Sequence, residues 1–290
     1  MFGAYLKRAA GRFLNLQTLT VSEKNAISIS RISKEGERIV FISSYPRSGN
    51  TWIRHILSDY FVQNMGFNTT TKLPIHPDKI VPDIYCNMID ERDTSITTPG
   101  LFVKTHDSFD TALGLLITSA HREMRHIYIY RQPEDTLVSH YHFHRRYPHL
   151  ISKTNGGIDA FCLACVDDWS FNVESYVKAK DMYSDCIFFV SYEYMLSNPG
   201  AMLMSMFSWL NIPVEDAMLQ RAISNMSFNN LRANEEKNPI HKEEFFFRKG
   251  MSGSGRQELQ ASTLDTIITK TSELLRKAKT IVTEQGATPD

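Results

Sequence analysis

Ile39-Val40-Phe41-Ile42-Ser43-Ser44-Tyr45-Pro46-Arg47-Ser48-Gly49-Asn50-Thr51-Trp52 is the stretch on which the reading of this chain turns. Its first half is short, mostly apolar and β-branched, the composition of a strand buried on both faces of a parallel sheet. The run breaks at Pro46 and Gly49, then resumes with Ile53, Ile56, Leu57, Tyr60 and Phe61 at helical spacing. Strand, tight turn and helix bring several backbone N–H groups together at a helix N-terminus. Such a place binds anions, phosphate most commonly.

Set against the triphosphate loop pattern G-x-x-x-x-G-K-[ST] and aligned on Gly49 and Thr51, the turn has Ser44 at the first glycine and Asn50 at the lysine. The lysine that reaches β- and γ-phosphates is missing, and a cation stands inside the loop at Arg47. The spacing alone also suits a strand–turn–helix with a purely structural glycine. The whole octapeptide Tyr45-Pro46-Arg47-Ser48-Gly49-Asn50-Thr51-Trp52 is more specific. It resembles the 5′-phosphosulfate loop of sulfotransferases that use 3′-phosphoadenosine 5′-phosphosulfate (PAPS), where Tyr-Pro-Lys-Ser-Gly-Thr-Thr-Trp is common.

Along the chain, short strands alternate with helices. Residues 101–106, 127–130 and 186–190 read as further strands. Helices are expected to end near Gln63 and to cover 112–121, the stretch after Pro133 with Leu137, Val138, Tyr141 and His144, then 158–180, 200–211, 214–225 and 257–283. This alternation predicts an α/β fold, a single domain over 1–290 with a central parallel sheet flanked by helices. Residues 1–37 read as an N-terminal extension. Residues 66–100 and 226–255 read as loop-rich segments that close over acceptor or cofactor; a passive surface insertion is the alternative for the first of these.

Lys+Arg and Asp+Glu both number 32, so the net charge is zero and binding of nucleic acid through overall charge is disfavoured. A local basic pocket is still compatible with that balance. The four cysteines do not form a disulfide scaffold, and Cys162-x-x-Cys165 lies in an apolar, helical stretch that suits buried thiols better than zinc. Met1 to Leu16 is basic and mildly amphipathic, a surface helix rather than an anchor. With no secretory leader and no apolar run near eighteen residues, the chain reads as a cytoplasmic protein without stable membrane insertion. The oligomeric state is not legible.

Ligands of open α/β sheets lie at the carboxyl ends of the strands. Here those ends present Arg47-Ser48-Gly49, Lys104-Thr105-His106 and Arg131: three cations beside a potential base. The resemblance extends from about Arg38 to Gln257 in four segments and implies roles for them. Lys104-Thr105-His106 is similar to the family's Lys-Thr-His, whose histidine takes the acceptor proton. Arg131 and Ser139 match the positions that bind the 3′-phosphate, and Phe247-Arg248-Lys249-Gly250 matches the loop that closes over it. Tyr192, Ser227 and Phe228 match positions whose aromatic residues contact adenine together with Trp52.

The resemblance therefore implies a P-loop-kinase-like fold and a catalytic set of His106, Arg47 and Lys104. Arg47, Ser48, Gly49, Asn50 and Thr51 would hold the 5′-phosphosulfate. PAPS would be co-substrate and 3′-phosphoadenosine 5′-phosphate (PAP) product, with no metal and a hydroxyl or amine acceptor. A small molecule is the expected acceptor, with a glycan or lipid as alternative. His106, at an ordinary pKa of about 6.5, would serve as base near neutral pH.

Three departures stand out. Arg47 replaces the commoner lysine, Asn50 replaces threonine, and Gly255 stands where the family usually has tryptophan. His140, His142, His144 and His149 crowd one stretch, and pocket lining or surface roles suit them better than a metal. A nucleotide kinase or NTPase is the first rival reading, and a non-catalytic nucleotide-binding protein the second.

Overall fold

Four strands, β1 (Ile39–Ser44), β2 (Leu101–Thr105), β3 (Met124–Tyr130) and β4 (Ile187–Ser191), form one parallel sheet in the order β2-β1-β3-β4. The computed structural model describes residues 37–66, 76–84, 92–93, 95–109, 124–147, 150, 154–237 and 246–286. The helix expected over 112–121, most of the N-terminal extension, about half of 66–100 and His149 lie outside the described residues.

Every residue of β1 is buried, as an apolar, β-branched run covered on both faces requires. Ile39 and Phe41 face a small cluster with Ile84, Leu101, Val103 and Met124, while Val40 and Ile42 face the main core. Ile39 pairs with Leu101 on one side and Met124 on the other. The chain leaves β1 for β2 on one flank and returns to β3 on the other. β1 and β3 therefore border a topological switch point, where open parallel sheets place their ligands.

The helices are α1 (Asn50–Asn64), α2 (Pro133–Arg146), α3 (Gly157–Met182), α4 (Tyr192–Ser197), α5 (Pro199–Trp209), α6 (Asp216–Asn225), α7 (Phe228–Lys237) and α8 (Ala261–Glu284). Two of them were not expected. α4 follows β4 directly, with the Ser191 hydroxyl accepting from the Tyr194 N–H at 3.3 Å as its cap. α7 occupies part of the presumed loop at 226–255. Its sequence is polar and it fully buries only Leu231, so it carries little apolar period. Among the described residues no helix is long and apolar enough to cross a membrane.

The described part of 66–100 is not loose. Arg54 of α1, itself buried, donates from Nε to the Val81 carbonyl at 3.0 Å and pairs with Asp78. The Lys104 N–H donates to the Pro82 carbonyl at 2.9 Å, so 76–84 lies along the β2 edge with Ile80, Val81 and Ile84 buried.

β3 starts three residues earlier than expected, at Met124-Arg125-His126, whose polar members hid the strand. His126 is 4% exposed and stacks on Phe41 with ring centroids 4.8 Å apart. Its Nδ1 lies 3.4 Å from the Ser43 hydroxyl, and its buried Nε2 has no partner. Burial pushes its pKa down to about 3. The unfolded chain, with a His pKa of about 6.5, binds the extra proton first. Stability is thus complete above about pH 6.5 and falls as pH drops toward 3, by up to ~1.4 kcal/mol per pH unit for this residue. In His126→Phe the urea midpoint should fall less steeply than wild type between about pH 6.5 and 4.5. An equal slope would assign the acid sensitivity to other groups.

Candidate functional site

The turn from β1 into α1 is coiled by two residues in the left-handed region, Arg47 at φ 72° and Gly49 at φ 106°. For a non-glycine residue this conformation costs roughly 1–3 kcal/mol, a strain typical of ligand clamps. The Ser48 N–H donates to the Tyr45 carbonyl at 3.3 Å, and the Gly49 carbonyl accepts from Trp52 at 3.0 Å to start the helix. α1 has no side-chain cap and no acidic residue in its first turn. Its positive end is therefore open to an external anion.

Asn50 settles its own role. Its Nδ2 donates to the Ile42 carbonyl at 2.8 Å and to the Ser44 hydroxyl at 3.3 Å, in a residue 3% exposed. The amide nitrogen braces the turn against the strand, while Oδ1 is buried without a partner. At Gly49 an added Cβ would lie 2.6 Å from the Tyr192 ring, so glycine is required by both space and conformation.

A cavity of about 320 Å³ opens above this turn. Every residue anticipated from the sequence lines it except Ser48 and Ser227. Ser48 is fully buried beneath the turn with an unpartnered hydroxyl, and Ser227 precedes α7. Walls not anticipated come from Phe143, Leu196, Leu231 and Phe246, with Phe247 and His140 also lining the space.

The cations cluster. Arg47 donates from Nε to the Ser139 hydroxyl at 3.2 Å and from Nη2 to the Phe246 carbonyl at 3.0 Å. Its guanidinium lies 4.0 Å from the Phe246 ring centroid. Burial, with Arg131 and Arg146 nearby, pulls its pKa down to about 10. Arg131 donates to the carbonyls of Arg47 at 3.4 Å and Met251 at 3.0 Å, and lies 4.4 Å from the Tyr192 ring. Its buried Nε has no partner.

At the end of β2, Lys104 is paired with Asp83 and both side chains are nearly buried. No motif had singled out Asp83. His106 Nδ1 lies 2.8 Å from the Ser44 carbonyl, a contact that requires the proton on Nδ1 and leaves the lone pair on Nε2. The His106 carbonyl accepts from Asn172 Nδ2 at 3.1 Å. Burial, then the Lys104 charge, pushes the imidazole to about 3 rather than the ordinary value expected. The ring is neutral at neutral pH, and a polyanion beside it would raise its basicity.

The glycine-rich segment after α7 is docked. Asp135 in the first turn of α2 accepts from the Gly253 and Gly255 N–H groups, both at 2.6 Å. Glu134 accepts from Arg256 at 2.8 Å, and Glu235 accepts from the Phe247 N–H at 3.0 Å. Arg248 and Lys249 both reach Glu258 Oε1, at 2.7 and 2.8 Å. A Cβ on Gly255 would lie 2.5 Å from the Glu134 carbonyl oxygen, which accounts for the missing tryptophan: the backbone passes too close to α2 for any side chain.

The histidines take separate partners. His142 pairs with Glu258 at 2.7 Å, His140 Nδ1 lies 3.3 Å from the Tyr45 hydroxyl, and His144 Nδ1 is 3.0 Å from the His140 carbonyl. Among the described residues no group of three or more His, Cys, Asp or Glu is placed to hold a metal.

A family model described as a sulfotransferase domain matches residues 37–278. Flavonol 3-sulfotransferase of Flaveria bidentis is 26% identical over 253 residues, 79% of this chain and 78% of that protein. Sulfotransferase 1 family member D1 of Rattus norvegicus is 26% identical over 242 residues, 76% of this chain and 77% of that one. The crystal structure of mouse sulfotransferase SULT7A1 complexed with PAP superposes with a TM-score of 0.65 at 21% identity, covering 88% of this chain and 90% of that one. At that identity the likeness is one of fold.

Substituting Gly255→Trp, the residue common elsewhere at this position, should undock the 246–258 segment and destabilise the protein by roughly 1–3 kcal/mol, as overpacking does. Thermal melting and limited proteolysis check it. An equally stable, equally resistant variant would mean that the backbone does not lie against α2.

Proposed function

The chain belongs to the sulfotransferase domain family, and on that basis we propose that it moves the sulfuryl group of PAPS to a hydroxyl or amine of a small-molecule acceptor. The observation that carries this reading is one cavity in which an uncapped helix N-terminus, a cation cluster and a neutral histidine meet. The residues present suit such a nucleotide. Arg131 Nε is buried without a partner, and like charges crowd Arg47, so the site has unmet capacity for a polyanion.

PAPS supplies the sulfuryl group, whose S–O bond to the 5′-phosphate breaks as a new bond to the acceptor forms. His106 Nε2 takes the acceptor's proton, with Nδ1–H held by the Ser44 carbonyl so that the lone pair keeps its direction. Lys104 and the α1 N-terminus offset the negative charge that grows on the departing phosphate side. Arg47, bonded to Ser139, carries positive charge between the turn and the residues proposed for the 3′-phosphate. Arg131, Ser139, Arg248, Lys249 and Gly250 would hold that phosphate, and Trp52, Tyr192 and Phe228 the adenine. Side-chain cations fill the place that magnesium has in triphosphate sites.

The NTPase reading lacks its lysine, since Asn50 stands there with its amide turned into the strand. For the acceptor, the phenylalanines of the cavity favour an aromatic or otherwise apolar molecule, in keeping with the name of the flavonol-directed relative. A cytoplasmic setting suits Cys162, Cys165 and Cys186, none of which is in a disulfide among the described residues.

Incubation with labelled PAPS and a panel of phenols, alcohols and amines should yield a sulfated product, and EDTA should leave the rate intact. His106→Ala should lower the chemical step by roughly 10²–10⁴ with little change in PAP affinity. Wild-type turnover in that variant would remove His106 from the reaction.

A second measurement concerns the 3′-phosphate. Calorimetry should find adenosine 5′-phosphosulfate bound at least ~100-fold more weakly than PAPS, about 2.7 kcal/mol. Arg131→Ala should narrow the gap through weaker PAPS binding. An unchanged gap would place the 3′-phosphate elsewhere.

A further inference from the structure

Glu258 occupies an unusual position. It lies between the short turn that ends the docked segment and α8, about one-fifth exposed, and neither the sequence motifs nor the reaction uses it. Yet its two oxygens are taken by three side chains, two of them cationic and the third a histidine. Oε1 accepts from Arg248 Nη1 at 2.7 Å and from Lys249 Nζ at 2.8 Å, while Oε2 lies 2.7 Å from His142 Nε2. Burial works against the charge, but the hydrogen bonds from Lys249, His142 and Arg248 hold the carboxyl at about 2, so it is ionised at any physiological pH. The Arg248–Glu258 contact is charge-assisted and short, the stronger kind of ion pair.

Arg248 and Lys249 are the residues proposed above to close over the 3′-phosphate, and both also line the nucleotide cavity. Phosphate and carboxylate ask the same of them: N–H donors and positive charge at hydrogen-bond distance. We propose that Glu258 is an internal stand-in for the 3′-phosphate, and that it sets how strongly the site prefers a 3′-phosphorylated nucleotide. This rests on the PAPS reading of the cavity. Without nucleotide, the carboxylate keeps the two cations ordered over the cavity. When the 3′-phosphate arrives, Glu258 yields donors to it, and the ion pairs given up are subtracted from the affinity gained. A nucleotide without the 3′-phosphate makes no such demand and leaves the pairs in place.

Glu258 therefore acts through Arg248 and Lys249, as a positioning and specificity-setting residue. Its removal should have a signature that a structural defect lacks. A loosened segment would weaken every adenine nucleotide, whereas a lost competitor strengthens only those that carry a 3′-phosphate. His142 supports the same arrangement from α2 by holding Oε2.

Calorimetry with PAP and with 5′-AMP on the full-length wild type, Glu258→Gln and Glu258→Asp tests this. Glu258→Gln should bind PAP about tenfold more tightly, equal to about 1.4 kcal/mol, with 5′-AMP unchanged. Glu258→Asp, one methylene shorter and still acidic, should move in the same direction by less, so a folding defect peculiar to Gln leaves the question answerable. Adding Arg248→Ala to Glu258→Gln should abolish the gain, because the competed-for donor is gone. PAP affinity that stays level or weakens in both variants overturns the proposal, as does an equal change for 5′-AMP. Failure of the PAPS reading has a different signature: wild type binds PAP no better than 5′-AMP, and both conclusions fall together.

Discussion

The amide of Asn50, turned back to the Ile42 carbonyl, is the tie on which the rest of the site depends. It fixes the turn to the central strand of the sheet and lets two left-handed residues sit within three positions. The start of α1 is thereby aimed past the end of β1, toward the space between β1 and β3. A loop held less firmly would relax Arg47 out of its strained backbone and turn the helix end away. In the triphosphate loop pattern the same position supplies a lysine to the ligand. Here it supplies rigidity, and the charge comes from strand ends and from the segment after α7.

Around this tie, carboxylates are distributed so that few reach the cavity. Asp135 and Glu134 stand at the start of α2, where the helix dipole favours them, and spend their oxygens on the backbone and arginine of the docked segment. Glu235 holds Arg146 and the amides that follow α7's return. Asp83 is turned to Lys104 at the sheet edge. What remains facing the open helix end is positive or neutral: Arg47, Arg131 and an imidazole kept unprotonated by burial.

Much of this was legible in the sequence, for a physical reason. The β1 turn, Lys104-Thr105-His106, Arg131 with Ser139, and Arg248-Lys249-Gly250 are each local, so their chemistry survives in a short string, and the parallel sheet brings their ends together. The features that were missed depend on distance along the chain. Asp83 meets Lys104, and Glu258 meets His142, only through the fold; a lone carboxylate in a polar loop carries no sign of its partner. Asp135 is intermediate, since an acid two residues after Pro133 marks a helix start but not the glycine amides it will bind. α7 escaped because a helix that buries one leucine has almost no period to read, and the first residues of β3 escaped because His126 is polar in type yet buried against Phe41. The pKa of His106 was misjudged for a related reason: burial is a property of the assembled sheet.

The closed segment over the cavity also bears on time. It is held to the body by pairs between charged groups, Arg256 with Glu134 and Arg248 and Lys249 with Glu258, and by glycine amides on Asp135. A nucleotide that draws Arg248 and Lys249 onto its phosphate leaves Arg256 with Glu134 and the glycine amides on Asp135 to hold the segment down, and its departure is slowed wherever these must let go first. Because part of that latch is ionic and half exposed, dissolved salt screens it over about 10 Å at 0.1 M and lubricates exit. Turnover limited by departure would then quicken with moderate ionic strength before weakened binding takes over.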